Sequence, residues 1–230
     1  MYERFFKRLI DIVLSCVGLI VLSPVYGILA LAIVIDDPGP VLFRQKRVGI
    51  RKTYFNIAKF RTMKMSTPHD VPTHLLENPE QYITRVGGFL RKTSLDELPQ
   101  IAQILTGKMS IIGPRPALWN QYDLIAERDK YGANDIRPGL SGWAQVNGRD
   151  TIEIADKARF DGDYARHITF RMDWTCFWMT VGSVLRRNGV LEGGTGVLIK
   201  QIEKRESEIG ADAAPDTTIA LPSEKVVVNK

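Results

Sequence analysis

From Ile12 to Ile35 the chain carries no charged residue. At the helical rise of about 1.5 Å per residue this run reaches across a hydrocarbon core of roughly 30 Å. Ser23-Pro24 lies near its middle, where proline removes a backbone donor and crowds the preceding turn, so the pattern predicts two short helices, with Ser23 serving a freed backbone group. Asp36-Asp37-Pro38-Gly39-Pro40 then ends the run. Val41-Leu42-Phe43 and Tyr54-Phe55-Asn56-Ile57 have strand composition with Gly49 between them, which predicts a hairpin. Met65 to Pro79 has no period and is expected to be a loop. Ile83, Val86, Gly87 and Leu90 form one helical stripe; Leu98, Ile101, Ala102 and Leu105 form a second that stops near Gly107. Met109 to Ile112 predicts a short buried strand, Ala117 to Tyr131 and Thr151 to His167 polar amphipathic helices. Phe170, Trp174, Phe177, Trp178, Val181 and Leu185 make a last apolar stripe, with Arg186 and Arg187 at its end. The expected fold is mixed α/β and mostly helical: a membrane helix hairpin over 1–36, an interfacial domain with a small β-hairpin over 37–200, and a mobile tail over 201–230.

Charge sharpens the reading of the first element. With 31 Lys and Arg against 26 Asp and Glu, the net charge is +5 and the pI near 9.2, which favours an anionic partner without choosing among nucleic acid, lipid headgroups and phosphorylated small molecules. Arg4, Lys7 and Arg8 precede the apolar run; Arg44, Lys46, Arg47, Arg51 and Lys52 follow it. Cationic flanks prefer the cytoplasmic side, and two such flanks predict a re-entrant helix that enters and returns on one side, broken at Ser23 and Pro24. A straight span is the alternative. Ala30-Leu31-Ala32 resembles a signal-peptidase site, but the apolar run exceeds the usual h-region. The aromatic stripe beside Arg186 and Arg187 suits the headgroup layer. Cys16 and Cys176 have no metal-ligand spacing and are expected to be inert thiols.

The chemistry concentrates at Thr93-Ser94-Leu95-Asp96-Glu97-Leu98-Pro99-Gln100. Ser94-x-x-Glu97 has the spacing of a capping box, which would make Ser94 the N-cap and Glu97 a residue reaching back to it. Carboxylates in a helix's first turn stay ionised, the same free N–H groups can hold a phosphate, and ionised carboxylates are natural Mg²⁺ ligands. Asp96 and Glu97 are therefore candidates for catalysis and for holding Mg²⁺. Arg115, between Pro114 and Pro116, is presented by a stiff loop. Arg137-Pro138-Gly139 and Gly142 to Arg149 repeat the pattern of cations on Gly- and Pro-defined loops. Lys59 and Arg61 are candidates for a phosphate site within a cationic run that otherwise reads as a solvated face on anionic lipid. Asp156, Asp161 and Asp163 read as a solvated helix face, and Asp173 as an isolated charge. Gly193 to Gly196 reads as a flexible turn, and His69, His74 and His167 form no ligand set.

Taken together, these motifs resemble the bacterial sugar transferase family, the small monotopic phosphoglycosyl transferases that start glycan assembly on a polyprenol carrier. The resemblance covers roughly Tyr2 to Gly189. It rests on Ser23-Pro24, Lys59-Phe60-Arg61-Thr62-Met63, Arg91 to Gln100, Ile112-Gly113-Pro114-Arg115-Pro116, Arg137-Pro138-Gly139 and Gln145 to Arg149, in that order. It implies a two-step reaction in which Asp96 attacks the β-phosphate of a UDP-sugar with Mg²⁺ nearby, UMP leaves, and polyprenyl phosphate takes the phosphosugar from the enzyme. It further implies a role for Glu97 as base or metal-side carboxylate, and for Lys59, Arg91, Arg115 and Arg149 as cations facing phosphate and nucleotide. The partners it implies are a UDP-sugar, polyprenyl phosphate and inner-membrane lipids on the cytoplasmic face, with no nucleic acid. A homo-oligomer is compatible with the sequence. Gly88, where family members often carry a basic residue, departs from the pattern. The sugar and the glycan pathway are not encoded in any motif.

A non-catalytic adaptor binding anionic headgroups through the basic hairpin and aromatic helix would also account for the charge and the apolar run. It would not account for adjacent carboxylates together with a Pro-clamped Arg115. The re-entrant reading makes one direct prediction: a cysteine placed before Arg4 is labelled from the side of the membrane that carries the body of the protein. Labelling from the opposite side alone contradicts it.

Overall fold

The apolar run forms one helix, α1 (Lys7–Asp36), preceded by a π-helical turn at Tyr2–Phe6. In the computed structural model, which describes residues 2–67, 79–148 and 152–185, α1 continues through Pro24 as a single element rather than as two short helices. The reason is local. Pro24 leaves the carbonyl of Ile20, four residues back, without its helical donor, and the Ser23 hydroxyl donates to that oxygen at 2.8 Å. The helix then ends where the turn formers begin, with Asp37 extended.

Buried and half-buried positions on α1 (Asp11, Ser15, Gly18, Leu22, Tyr26, Leu29, Ile33, Asp36) recur at steps of three and four and so line one face. The opposite face is apolar and bare: Ile20, Val21, Ile28, Leu31 and Ile35 are 63–73 % exposed. The inner face is tied to one body along its whole length. Near its start, Arg8 donates to the carbonyls of Ile104 and Leu105, and the Asp11 carboxylate accepts from Ser110 Oγ at 2.7 Å and from the Ile111 N–H at 3.0 Å. Further along, Tyr26 donates to the Leu98 carbonyl, and at the end Asp36 accepts from the Val86 N–H at 2.8 Å.

The body is assembled from β1 (Leu42–Val48), β2 (Tyr54–Phe60), α2 (Arg85–Thr93), α3 (Gln100–Leu105), β3 (Ser110–Ile112), α4 (Tyr122–Asp129), β4 (Gly139–Ser141), α5 (Trp143–Asn147), α6 (Ile154–Arg166) and α7 (Phe170–Leu185). This is the mostly helical, mixed architecture expected, with its hairpin. The strands β1 and β2 pair antiparallel from Leu42 with Phe60 to Val48 with Tyr54. Because side chains alternate across a strand, this register puts Lys59 on the face that carries Ile57 into the core. Arg44 and Lys46 point the other way, are exposed and belong to the solvated face. Gln103 of α3 closes the free edge of β2: its side chain accepts from Ala58 N–H and donates to the Asn56 carbonyl. β3 pairs parallel with β4.

Leu29 and Ile33 of α1 pack with Phe60 and Leu90, and Leu95 and Leu98 join them from the segment bearing the candidate carboxylates. Each fully buried side chain of this kind contributes roughly 1.5–3 kcal/mol. The predicted helix from Ala117 is shorter than its pattern suggests, since residues 117 and 118 are bonded to the end of β1: Val48 N–H donates to the Ala117 carbonyl, and Arg47 bridges Leu118. Asp173 is no isolated charge, for it accepts from Tyr2, Lys7 and Tyr164 and so ties α7 to the start of the chain. Phe170, Trp174 and Trp178 stand on the exposed face of α7 at 53–55 % exposure, and Cys176 is buried on its other side. Burial pushes the Cys176 thiol up to about 12, in keeping with an inert role.

The chain divides into two units, Met1–Gly193 and Gly194–Lys230. The described residues all fall in the first; Arg186, Arg187, Gly193 to Gly196, His69, His74 and the tail 201–230 lie outside them.

Asp11 is the polar contact that fastens α1 to β3. Replacing it with alanine leaves the Ser110 hydroxyl and the Ile111 N–H without their acceptor, at a cost of roughly 1–3 kcal/mol per buried group. Asp11→Ala should lower the thermal unfolding temperature of the detergent-solubilised protein by several degrees, whereas Ile20→Ala, on the bare face, should leave it unchanged.

Candidate active site

The helix α2 begins with a side-chain cap, Thr84 Oγ1 accepting from the Gly87 N–H at 2.8 Å. It runs close beside the segment after β2. A Cβ on Gly87 would sit 2.1 Å from the Thr62 carbonyl oxygen, so only glycine fits this approach. At its other end Ser94 takes a left-handed conformation, with φ at 57°, and closes α2. Leu95–Glu97 follow as a single 3₁₀ turn, and α3 starts only at Gln100. The expected capping box is therefore absent. Ser94 makes no side-chain cap, and the Glu97 carboxylate reaches forward to two cations instead of back to Ser94. Packing of Leu95 and Leu98 into the α1 core holds this turn and offsets the 1–2 kcal/mol that a left-handed residue typically costs.

In the turn, Asp96 is 4 % exposed. Lys59, delivered by β2, places its Nζ 2.9 Å from Glu97 Oε1 and 3.6 Å from Asp96 Oδ2. Arg115, delivered by the loop after β3, places Nη2 2.9 Å from the same Glu97 oxygen. Two carboxylates and two cations thus share one partly buried locus. Burial on its own would raise the Glu97 pKa, but Arg115 and then Lys59 outweigh it and hold the carboxyl at about 2.

The remaining candidates divide. Arg61 is buried against the Asp37 carboxylate and carbonyl, so it straps the end of α1 to the body. Arg91 donates from Nε to Thr62 Oγ1 at 2.9 Å, joining α2 to the segment after β2. Arg149 lies outside the described residues. Ser23 and Pro24 sit on the exposed side of α1. Asp161 is not on a solvated face: it is 1 % exposed and paired with Arg128, itself 3 % exposed. The pattern held the signal for this pair, because Asp161 stands three residues from the buried Ala158 on α6 and Arg128 four from the buried Leu124 on α4.

Among the described residues no group of three metal-capable side chains is present. Mg²⁺ is commonly bound through one or two carboxylates with the remaining positions filled by substrate phosphates and water. Asp96 and Glu97 match that donor set when a diphosphate completes it.

The depressed Glu97 value has a definite sign. Its folded pKa of about 2 lies below the ordinary 4.5, so the stability it contributes is complete above the ordinary value and is lost as the pH falls through the folded one. The unfolding temperature of the wild-type protein should therefore drop more steeply between pH 4.5 and 2 than that of Glu97→Gln. Parallel curves would contradict the charge pairing.

Comparison with known proteins gives one family. Residues 2–187 match the family described as "Bacterial sugar transferase". The UDP-glucose:undecaprenyl-phosphate glucose-1-phosphate transferase of Escherichia coli (strain K12) is 42 % identical over 187 residues, covering 78 % of this chain and 40 % of that protein. The undecaprenyl-phosphate galactose phosphotransferase of Salmonella typhimurium is 35 % identical over 201 residues, covering 81 % and 42 %. The exopolysaccharide production protein ExoY of Sinorhizobium fredii is 30 % identical over 197 residues, covering 80 % and 87 %. The chain thus spans about two fifths of the length of the first two relatives and nearly all of the third, and its matched residues include α1, the hairpin, the carboxylate turn and the Pro-clamped arginine loop. The chain belongs to the bacterial sugar transferase family.

Proposed function

We propose that this protein transfers a sugar-1-phosphate from a UDP-sugar to polyprenyl phosphate, by way of a phosphosugar held on Asp96. The observation that carries this reading is the convergence of Lys59 and Arg115 on a buried pair of adjacent carboxylates. An ionised carboxylate approaching a diphosphate meets like charge. Two unit charges about 4 Å apart interact by roughly 4 kcal/mol at the effective dielectric of a protein surface. A lysine and an arginine at hydrogen-bond distance offset that repulsion and remain to stabilise the charge that develops on the phosphoryl oxygens. Asp96 Oδ attacks the β-phosphorus; the bond from that phosphorus to the bridging oxygen breaks, and UMP leaves with the electron pair. A phosphate oxygen of the polyprenyl acceptor then attacks the same phosphorus and Asp96 departs, which yields the lipid diphosphate sugar. Glu97, held ionised far below neutrality, suits a charged positioning role better than that of a base. Mg²⁺, when bound beside Asp96 and Glu97 with the donor diphosphate, would supply further neutralisation of the phosphate charge.

Both ends of α1 are bonded to the same body while its outer face is bare and apolar. That arrangement supports a helix that enters one leaflet and does not leave the cytoplasmic face of the inner membrane, with α7 lying in the headgroup layer. UDP-glucose is the first donor to try, in view of the E. coli relative's name.

The protein in membranes, given Mg²⁺, polyprenyl phosphate and a panel of UDP-sugars, should release UMP with at least one donor, and Asp96→Asn should release none. Absence of UMP with every donor would favour the headgroup-binding adaptor; full turnover by Asp96→Asn would remove Asp96 as nucleophile.

A further inference from the structure

Arg115 sits on a loop that cannot hold itself. Pro114 and Pro116 have no N–H, so the segment can neither join a sheet nor close a regular turn through those residues. Its carbonyls from Pro114 to Ala117 nevertheless all find donors, and those donors come from three different elements. The Pro114 carbonyl accepts from the Gly139 N–H at 2.8 Å and the Ala117 carbonyl from the Val48 N–H at 2.9 Å. Between them, the Arg115 carbonyl accepts from Arg128 Nη1 at 3.0 Å and the Pro116 carbonyl from Arg47 Nη1 at 3.0 Å. Four consecutive carbonyls are thus gripped by β4, α4 and β1, and the two central ones by guanidinium groups.

Of these donors Arg128 is the most constrained. Its Nε and Nη2 both donate to Asp161 Oδ2, at 2.8 and 2.5 Å, which leaves Nη1 aimed at the Arg115 carbonyl. Asp161 belongs to α6, which packs on α4. A buried ion pair gives no reliable gain in stability over an apolar pair of the same volume, so stability alone gives little reason to keep one here. A planar fork with fixed donor directions does suit the task of fixing a backbone oxygen, and with it the Cα from which the Arg115 side chain reaches Glu97. We infer that Arg128 and Asp161 are positioning residues for the transferase reaction, acting through the Arg115 backbone to set that guanidinium against the carboxylate turn and the donor phosphates. The inference deepens the transferase reading and rests on it.

The test is a double-mutant cycle in the full-length protein in membranes, read alongside amide hydrogen exchange. Arg128→Lys keeps a positive charge opposite Asp161, but an ammonium has its donors at one point and cannot span both Asp161 and the Arg115 carbonyl. Asp161→Asn, which keeps the volume and an acceptor, is measured in parallel in case one variant folds poorly. Each should raise exchange at the amides of Arg115 and Leu118 and lower kcat/KM for the UDP-sugar on the order of tenfold. In an Arg115→Ala background the same substitutions should lower the residual rate less than twofold, since the group they position is already gone. A merely structural role would give equal losses in both backgrounds, and that result, or unchanged exchange in the loop, would overturn the proposal. A wild-type chain without turnover, in which loop exchange still responds to Arg128→Lys, would instead overturn the transferase reading and with it the positioning of a reaction.

Discussion

Two neighbouring carboxylates removed from water repel each other and lose their hydration, and the turn at Leu95–Glu97 can bear Asp96 and Glu97 only because cations are brought to it. That requirement organises the body. Lys59 arrives from the hairpin, whose register turns it inward and whose edge is closed by Gln103. Arg115 arrives from the loop after β3, whose strand is in turn bonded to Asp11 of α1. Removal of either strand's support would leave charge uncompensated in a buried place. The same arrangement that makes the carboxylates tolerable is what supports the proposal that one of them acts on an anionic substrate.

The apolar helix α1 is part of this arrangement rather than an appendage to it. Its inner stripe packs against Phe60, at the end of the strand that carries Lys59, and against Leu95 and Leu98, which flank the carboxylates. The bare apolar face of α1 and the carboxylate turn are therefore on opposite sides of one helix. A chemistry that joins a soluble nucleotide-sugar to a lipid phosphate has use for such proximity, since the acceptor's phosphate and the donor's must reach one phosphorus atom.

Much of this was legible in the residues. The apolar run, the hairpin, α2, the buried strand β3 and the aromatic α7 follow from periodicity, because each buries or exposes one face. Lys59 was singled out as a phosphate-site candidate within a cationic run and Arg115 for its place between prolines, and both stand beside the carboxylate turn. What the residues did not disclose was long-range pairing. Ser94-x-x-Glu97 has the spacing of a cap, but its carboxylate has two cations within reach, and a charge-assisted contact with both is stronger than one cap. Asp161 looked solvated since its partner lies 33 positions away, and nothing in the sequence announced the pairing of Arg61 with Asp37. The two short helices expected around Pro24 are one continuous element for a reason visible in the sequence: Ser23 precedes Pro24 and serves the very carbonyl that proline abandons.

The central claim is that Asp96 carries the phosphosugar between two half-reactions. Intact-protein mass spectrometry tests it without the acceptor: the purified protein is incubated with its UDP-sugar and Mg²⁺ alone, and the product is digested to locate any adduct. A mass increase of one sugar phosphate, mapped to the peptide containing Asp96 and discharged on addition of polyprenyl phosphate, is the predicted result. Turnover that needs both substrates together, with the chain never gaining mass, would contradict it.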